Sequence, residues 1–164
     1  YFGRKDAQQA AVVTQMARDL NLPVAIVVCP TVRDADGLAL SSRNARLSPA
    51  DRERALALSR ALREVGAAIA DGRIVTSAAA SAAGCAALQA GGCDPEYFEA
   101  VDPVSLRPLG ELRGDVLLLT AARVGDVRLI DNLAAHAPAA PSPTPLSDPE
   151  TRAATVTAAS TLMS

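Results

Sequence analysis

The fold can be interpreted from one stretch of sequence, Asp34-Ala35-Asp36-Gly37-Leu38-Ala39-Leu40-Ser41-Ser42-Arg43-Asn44. It follows an apolar run, Val24 to Cys29, that is typical of a buried strand, and it precedes a helix start at Ser48-Pro49. A polar loop between a strand end and a helix start is where α/β proteins bind ligands. Two hydroxyls beside an arginine suit phosphate oxygens, although a plain solvated connection has a similar composition.

The composition limits the classes of partner. The chain has 164 residues, 49% of them hydrophobic but only 2% aromatic, so its core must be built from Ala, Val and Leu. The net charge is -2, with acids and bases interspersed, and there is no basic stripe of the kind that nucleic acids or membrane surfaces require. The sequence therefore predicts neither a nucleic-acid partner nor a membrane partner.

The cysteines and the single histidine limit the chemistry. Cys29, Cys85 and Cys93 form no C-x-x-C pair, which argues against a disulfide framework and favours a reducing compartment. Cys29 is predicted to be a small core residue, because free cysteine is usually buried. With His136 alone, a histidine-based triad or a His-rich metal site is not expected.

Residues 1–46 have the pattern of a strand–helix–strand unit. A strand ends at Gly3, and Asp6 with Gln9 suggests a capping box for a helix from Ala7 to Leu20. The apolar stripe of that helix is predicted to consist of Val12, Val13, Met16 and Leu20. A strand over Pro23–Cys29, covered on both faces, completes the last unit of a doubly wound sheet.

Residues 47–133 change to an α+β pattern. Ser48 and Thr76 are predicted to cap two helices, ending near Asp71 and Ala90. A period of two then indicates three strands joined in part by a hairpin turn at Gly125-Asp126; the strands are 97–101, 115–124 and 127–130. Residues 134–164 are rich in Pro and Ala and are predicted to be a disordered tail.

Two motifs stand at a fixed separation, Phe2-Gly3-Arg4-Lys5-Asp6-Ala7-Gln8-Gln9 and Asp36 to Asn44, with Pro30-Thr31-Val32-Arg33 between them. Together they closely resemble the pantothenate synthetase (pantoate–β-alanine ligase) family, whose usual end matches Ile130-Asp131-Asn132-Leu133. The resemblance implies an α/β fold: the last portion of a Rossmann-like nucleotidylyltransferase domain, then a small α+β domain. It also implies a cytoplasmic, AMP-forming ligase that uses ATP, pantoate and β-alanine, with Mg²⁺ held by ATP phosphates, and that is a homodimer when complete.

The first motif carries over four site residues. Lys5 resembles the family's phosphate-binding lysine, and Asp6 with Gly3 resembles the group that holds the ATP ribose. Gln9, one helical turn further, resembles the amide that hydrogen-bonds pantoate.

The second motif carries over the rest of the ATP site. Ser41, Ser42 and Arg43 resemble the loop that closes over the triphosphate, and with Lys5 they form the expected catalytic set. Val32 resembles a backbone contact to adenine, and Leu40 stands where the family usually has Met. No protein ligands for a metal are expected.

The family's H-x-G-H segment, which contacts the ATP phosphates, is expected upstream of these motifs and is not in this chain. We therefore expect the chain alone to be inactive, with residues 1–45 loosely held and exposing Val24, Ile26, Val27 and Val28. Two alternatives stay open: a non-catalytic remnant that acts as a binding or structural module, and another nucleotidyl-transferring member of the superfamily. Gln9 argues against the second.

Overall fold

The computed structural model describes residues 1–139. In that range the order of regular elements is strand, helix, strand, two helices and three strands. They are β1 (Phe2–Gly3), α1 (Ala7–Asp19), β2 (Val28–Cys29), α2 (Pro49–Ala70), α3 (Ser77–Ala90), β3 (Asp94–Val101), β4 (Gly114–Val124) and β5 (Val127–Ala137). One-turn 3-10 helices occupy Arg4–Asp6 and Ser42–Arg46.

The core lies in the α+β part of the chain. Strands β3, β4 and β5 form an antiparallel sheet in that order, and α2 and α3 pack on one face of it. The buried cluster is built mainly from Ala, Leu and Val, as the composition predicts. Phe98 is the one aromatic residue among its fully buried side chains.

The predicted helix starts and hairpin of this part are confirmed. Ser48 Oγ accepts a hydrogen bond from the Asp51 N–H at 3.1 Å, and Thr76 Oγ1 accepts one from the Ala79 N–H at 3.2 Å. Strands β4 and β5 pair from Val124–Val127 outward, so the turn is two residues long as predicted. Gly125 sits in it with φ +56°, a backbone conformation that favours glycine.

Strand β5 is longer than the period-two pattern predicts. It continues through Ala137, and His136 on it contacts the Asp115 carboxylate at 2.8 Å instead of lying in an irregular stretch. Of the predicted tail, residues 140–164 lie outside the described part of the chain.

The N-terminal part has the predicted connectivity but little regular structure. β1 and β2 are parallel, with Phe2 opposite Val28 and Gly3 opposite Cys29. The predicted strand over 23–29 is wrong in length, because residues 24–26 extend beyond the first residue of the parallel β1 and have no ladder partner among residues 1–139. Cys29 is half-buried rather than a core residue.

Two details of α1 were also predicted wrongly. Asp6 makes no capping hydrogen bond, because it ends a 3-10 turn with ψ 60° instead of the extended angles that the capping residues Ser48 and Thr76 adopt, so the capping box does not form. The stripe does not face a core either: Val12, Met16 and Leu20 are exposed, and α1 instead buries Ala10 and Ala17.

The predicted exposure of the neighbouring strand region is confirmed for three of its four residues and wrong for Ile26. Val24, Val27 and Val28 are 58%, 42% and 37% exposed, and Ile26 is half-buried. Among residues 1–139 no helix combines the length and the hydropathy needed to cross a bilayer.

Candidate functional site

A cleft of about 590 Å³ lies where the N-terminal turn, the end of β2 and the polar loop meet. Its walls come from three chain segments: residues 3–6, residues 29–32 and residues 40–43. The lining residues are Gly3, Lys5, Asp6, Cys29, Pro30, Thr31, Val32, Leu40, Ser41, Ser42 and Arg43. The cleft is large enough for a cofactor-sized ligand.

The structure brings together eight of the nine residues predicted for the site, namely Gly3, Lys5, Asp6, Val32, Leu40, Ser41, Ser42 and Arg43. The ninth, Gln9, does not line this cleft. It lines a neighbouring cavity of about 170 Å³, together with Tyr97 and Leu119 of the antiparallel sheet. Lys5 and Asp6 border both spaces, so they stand between the two.

Lys5 forms one charged wall of the cleft. Its side chain is only 15% exposed, and its ammonium lies 3.8 Å from a carboxylate oxygen of Asp6. A single contact of that length leaves the ammonium with hydrogen-bonding capacity for an anion, since it carries three donors.

The loop that carries Ser41 to Arg43 forms another wall of the same cleft. Ser41 Oγ accepts a hydrogen bond from the Arg43 N–H at 3.3 Å, which starts the 3-10 turn. The Asn44 amide closes the loop by donating to the Ala39 carbonyl at 3.0 Å. The exposed Arg43 guanidinium makes no ion pair with the residues that the structure describes, so it is available to a ligand.

The start of this loop is held by charge. Arg52 on α2 donates to the carboxylates of Asp34 and Asp36, each at 2.7 Å. The Leu38 N–H and then Arg52 hold the pKa of Asp36 below its usual value, and the two carboxylates raise the pKa of Arg52. The loop also turns at Gly37 with φ +95°, which side chains disfavour.

Three residues with a clear structural role were not predicted. Arg33 donates to both carboxylate oxygens of Asp131, at 2.6 and 2.9 Å. Asn132 donates to the backbone carbonyls of Arg4 and Lys5, at 2.8 and 2.9 Å. The sequence does carry a signal for them, because the polar pair Asp131-Asn132 interrupts an otherwise largely apolar strand.

Two polar atoms near the cleft remain unpaired. Thr31 Oγ1 and Asn44 Oδ1 are buried and have no hydrogen-bond partner among residues 1–139. Because a buried polar atom without a partner is costly, Thr31 favours a polar ligand in the cleft that it lines.

The cleft does not contain a set of protein ligands for a metal ion. In the described part of the chain no group of three His, Cys, Asp or Glu residues could hold an ion, and Asp6 is the one carboxylate lining the cleft. A cation here would depend on ligands that a bound anion supplies, as Mg²⁺ does with phosphates.

Comparison with protein families shows what the chain is similar to. The family model described as pantoate-beta-alanine ligase matches residues 1–134. Pantothenate synthetase of Acidiphilium cryptum is 52% identical over 134 residues, which are 82% of this chain and 48% of the relative. That of Rhizorhabdus wittichii is 53% identical over 135 residues, 82% of this chain and 47% of the relative. The chain thus spans about half the length of these relatives.

Solved structures of the same family also match this chain. Pantothenate synthetase of Thermus thermophilus matches with a TM-score of 0.74 and 45% identity, over 81% of this chain and 48% of that one. The pantoate-beta-alanine ligase of Francisella tularensis, complexed with beta-gamma ATP and beta-alanine, matches with a TM-score of 0.56 and 29% identity. That match covers 81% of this chain and 42% of the ligase.

Proposed function

The chain belongs to the pantoate–β-alanine ligase family, and on that premise we propose that its cleft binds ATP for the ligation of pantoate to β-alanine. The observation that carries the proposal is the convergence of both motifs, 38 positions apart at Lys5 and Arg43, on one cleft. The Francisella tularensis relative, which was solved with beta-gamma ATP and beta-alanine, supports the assignment.

The reaction that we propose for the whole protein has two steps. A carboxylate oxygen of pantoate attacks the α-phosphorus of ATP, the bond to the β-phosphate breaks, and pyrophosphate leaves. The amine of β-alanine then attacks the acyl carbon of pantoyl adenylate and loses a proton, and AMP leaves to give pantothenate. Since the adenylate is itself the activated acyl group, the protein needs no nucleophile and contributes positioning and charge stabilisation.

We assign the phosphate end of ATP to the charged walls of the cleft. Lys5 and Arg43 neutralise charge that develops on the phosphates as pyrophosphate departs, and the hydroxyls of Ser41 and Ser42 donate to phosphate oxygens. The two cations come from separate chain segments that line one cleft, and we place the triphosphate in contact with both.

We assign the ribose and adenine of ATP to the remaining residues that line the cleft. Gly3 and Asp6 would hold the ribose, the Val32 backbone would contact adenine, and Leu40 would pack beside it. We assign pantoate to the neighbouring cavity with Gln9, which shares Lys5 and Asp6 with the cleft.

Mg²⁺ enters this proposal as part of the substrate, bound to the ATP phosphates, because the cleft offers only the Asp6 carboxylate. We further propose a cytoplasmic setting and a homodimer for the whole protein, as the family resemblance implies.

We propose that the 164 residues alone bind nucleotide without measurable turnover, because the described residues supply one predicted pantoate ligand, Gln9. A non-catalytic binding module is the second candidate. Most of the buried core lies in residues 55–137, with Leu38 as its one buried member from the N-terminal part, and this distribution favours the module as an alternative.

Calorimetric titration of the chain with ATP and Mg²⁺ tests the proposal. We expect saturable binding that Lys5→Ala weakens about tenfold, since it removes a charge aimed at phosphate. Arg4→Ala is the control, because Arg4 is exposed, adjacent, and absent from the lining of the cleft. A folded chain that binds no ATP would favour the non-catalytic module, and pantothenate formed by the chain alone would disprove its inactivity.

A further inference from the structure

Adjacent residues on β5 contact two separate N-terminal segments. Asp131 contacts Arg33, which precedes the polar loop, and Asn132 contacts the turn that carries Lys5. Both side chains are buried, each only 3% exposed. Polar side chains this deep are costly unless their hydrogen bonds are satisfied, and here both sets of partners lie beside the cleft.

Arg33 extends the first contact into the loop. Besides its two bonds to Asp131, its guanidinium donates to the Gly37 carbonyl at 3.1 Å and the Asn132 carbonyl at 3.3 Å. A planar guanidinium holding four oxygens has little rotational freedom, so it fixes the Gly37 turn relative to β5. The residues that follow this turn lead directly to Ser41 and Arg43.

Asn132 provides the second contact. One amide nitrogen donates to the carbonyls of Arg4 and Lys5, which fixes the 3-10 turn relative to the same strand. The parallel pairing of β1 and β2 involves only two residues of each strand, so it is a weak alternative support for this turn. Both segments that carry the cationic residues are therefore anchored to β5, and Arg52 holds the start of the loop in addition.

We propose that Asp131 and Asn132 are positioning residues, which hold Lys5 and Arg43 at the separation that a triphosphate requires. The proposal rests on the proposed function. It predicts a selective defect: loss of either contact weakens binding of the phosphates more than binding of the nucleoside, because the Val32 backbone contact lies outside the Gly37 turn and the Arg4–Asp6 turn.

The test compares ATP, given with Mg²⁺, against adenosine as calorimetric ligands of the full 164-residue chain. Asn132→Leu removes the amide donors and keeps the branching of the side chain, and we expect about tenfold weaker ATP binding with a clearly smaller loss of adenosine affinity. Arg33→Lys keeps the charge but loses the paired geometry, and it serves where Asn132→Leu does not fold. When Lys5→Ala is already present, adding Asn132→Leu should reduce ATP affinity much less than it does in the wild-type chain, because Asn132 acts in part through Lys5.

Phe98→Leu is the matched control, since it loosens the core of the sheet without touching the cleft. It should lower the melting temperature and keep the wild-type ratio of ATP to adenosine affinity. Variants that keep this ratio, or that weaken both ligands equally, would overturn the positioning role alone. A wild-type chain that binds neither ligand would instead overturn the proposed function, and the phosphate role of these residues with it.

Discussion

Gly84 of α3 lies directly against the ring of Phe98 on β3. A Cβ atom at Gly84 would overlap the ring, and Phe98 is fully buried, so the ring has no room to withdraw. The absent side chain is what allows α3 to approach the sheet closely. The contact matters because an Ala-rich helix has few large side chains with which to reach a partner.

Gly84→Ala is therefore expected to destabilise the fold by about 1–3 kcal/mol, the usual cost of overpacking a core. The higher helix propensity of alanine offsets only about 1 kcal/mol of the steric cost. Urea denaturation followed by circular dichroism measures the change. Gly110→Ala, which would meet no atom within 4 Å, is the control and should change stability little. Equal effects at the two positions would contradict the steric explanation.

Arg43→Ala separates a specific phosphate contact from general electrostatics. Arg43 lines the cleft, whereas Arg46, in the same 3-10 turn and also exposed, does not. We expect Arg43→Ala to weaken ATP binding about tenfold and Arg46→Ala to change it less than about twofold, because a surface charge at a distance is screened by salt. Titration calorimetry at 0.15 M salt measures both. Equal losses would mean that the loop acts only through net charge.

The start of α2 predicts a pH-dependent cap. The Ser48 hydroxyl, and then Arg54, hold the pKa of Asp51 below its usual value. A lowered pKa in the folded state means that this stabilisation is complete above the ordinary pKa of 3.8 and is lost as the pH falls through the lowered value. The cost of Ser48→Ala should therefore shrink as the pH is lowered from 6 toward 3.

At neutral pH we expect Ser48→Ala to cost about 1 kcal/mol, as is usual for a helix cap. Thr76→Ala is the matched control, because Thr76 caps α3 through Ala79, which has no titratable group. Its cost should stay constant over the same range. Thermal melts at several pH values measure both, and parallel curves would refute the coupling between Ser48 and Asp51.

The exposed stripe of α1 predicts self-association. Val12 and Met16 are 66% and 47% exposed, one helical turn apart, and Leu20 continues the stripe at 63%. Contiguous apolar surface of this kind promotes association. Val12→Ser with Met16→Ser should reduce binding of a hydrophobic dye and shift sedimentation toward the monomer. Val104→Ser, at an isolated and 80% exposed position, should change neither.

The features that were predicted correctly from local sequence patterns depend on interactions between residues close together in the chain. The caps at Ser48 and Thr76 and the turn at Gly125 are local, so side-chain chemistry within a few residues sufficed to predict them. The lining of the cleft was predicted through family motifs, which contain long-range information that periodicity lacks.

The wrong or missing predictions concern contacts between residues that are far apart in the chain. Val12 and Met16 follow a helical period, yet nothing among the described residues covers them, because periodicity marks an apolar face without saying what packs on it. The pairing of Arg33 with Asp131 joins positions 98 apart, and no local pattern reveals such a partner.

The 98 positions between Arg33 and Asp131 also determine when this pair can form while the chain is being synthesised. At the usual elongation rate the ribosome needs about 5 to 20 s to travel from Arg33 to Asp131. Until then neither the loop nor the Lys5 turn has its anchor on β5. The binding groups at Lys5 and Arg43 are translated before their anchors, so a nascent chain interrupted before β5 would carry both of these groups and still lack the framework that aligns them.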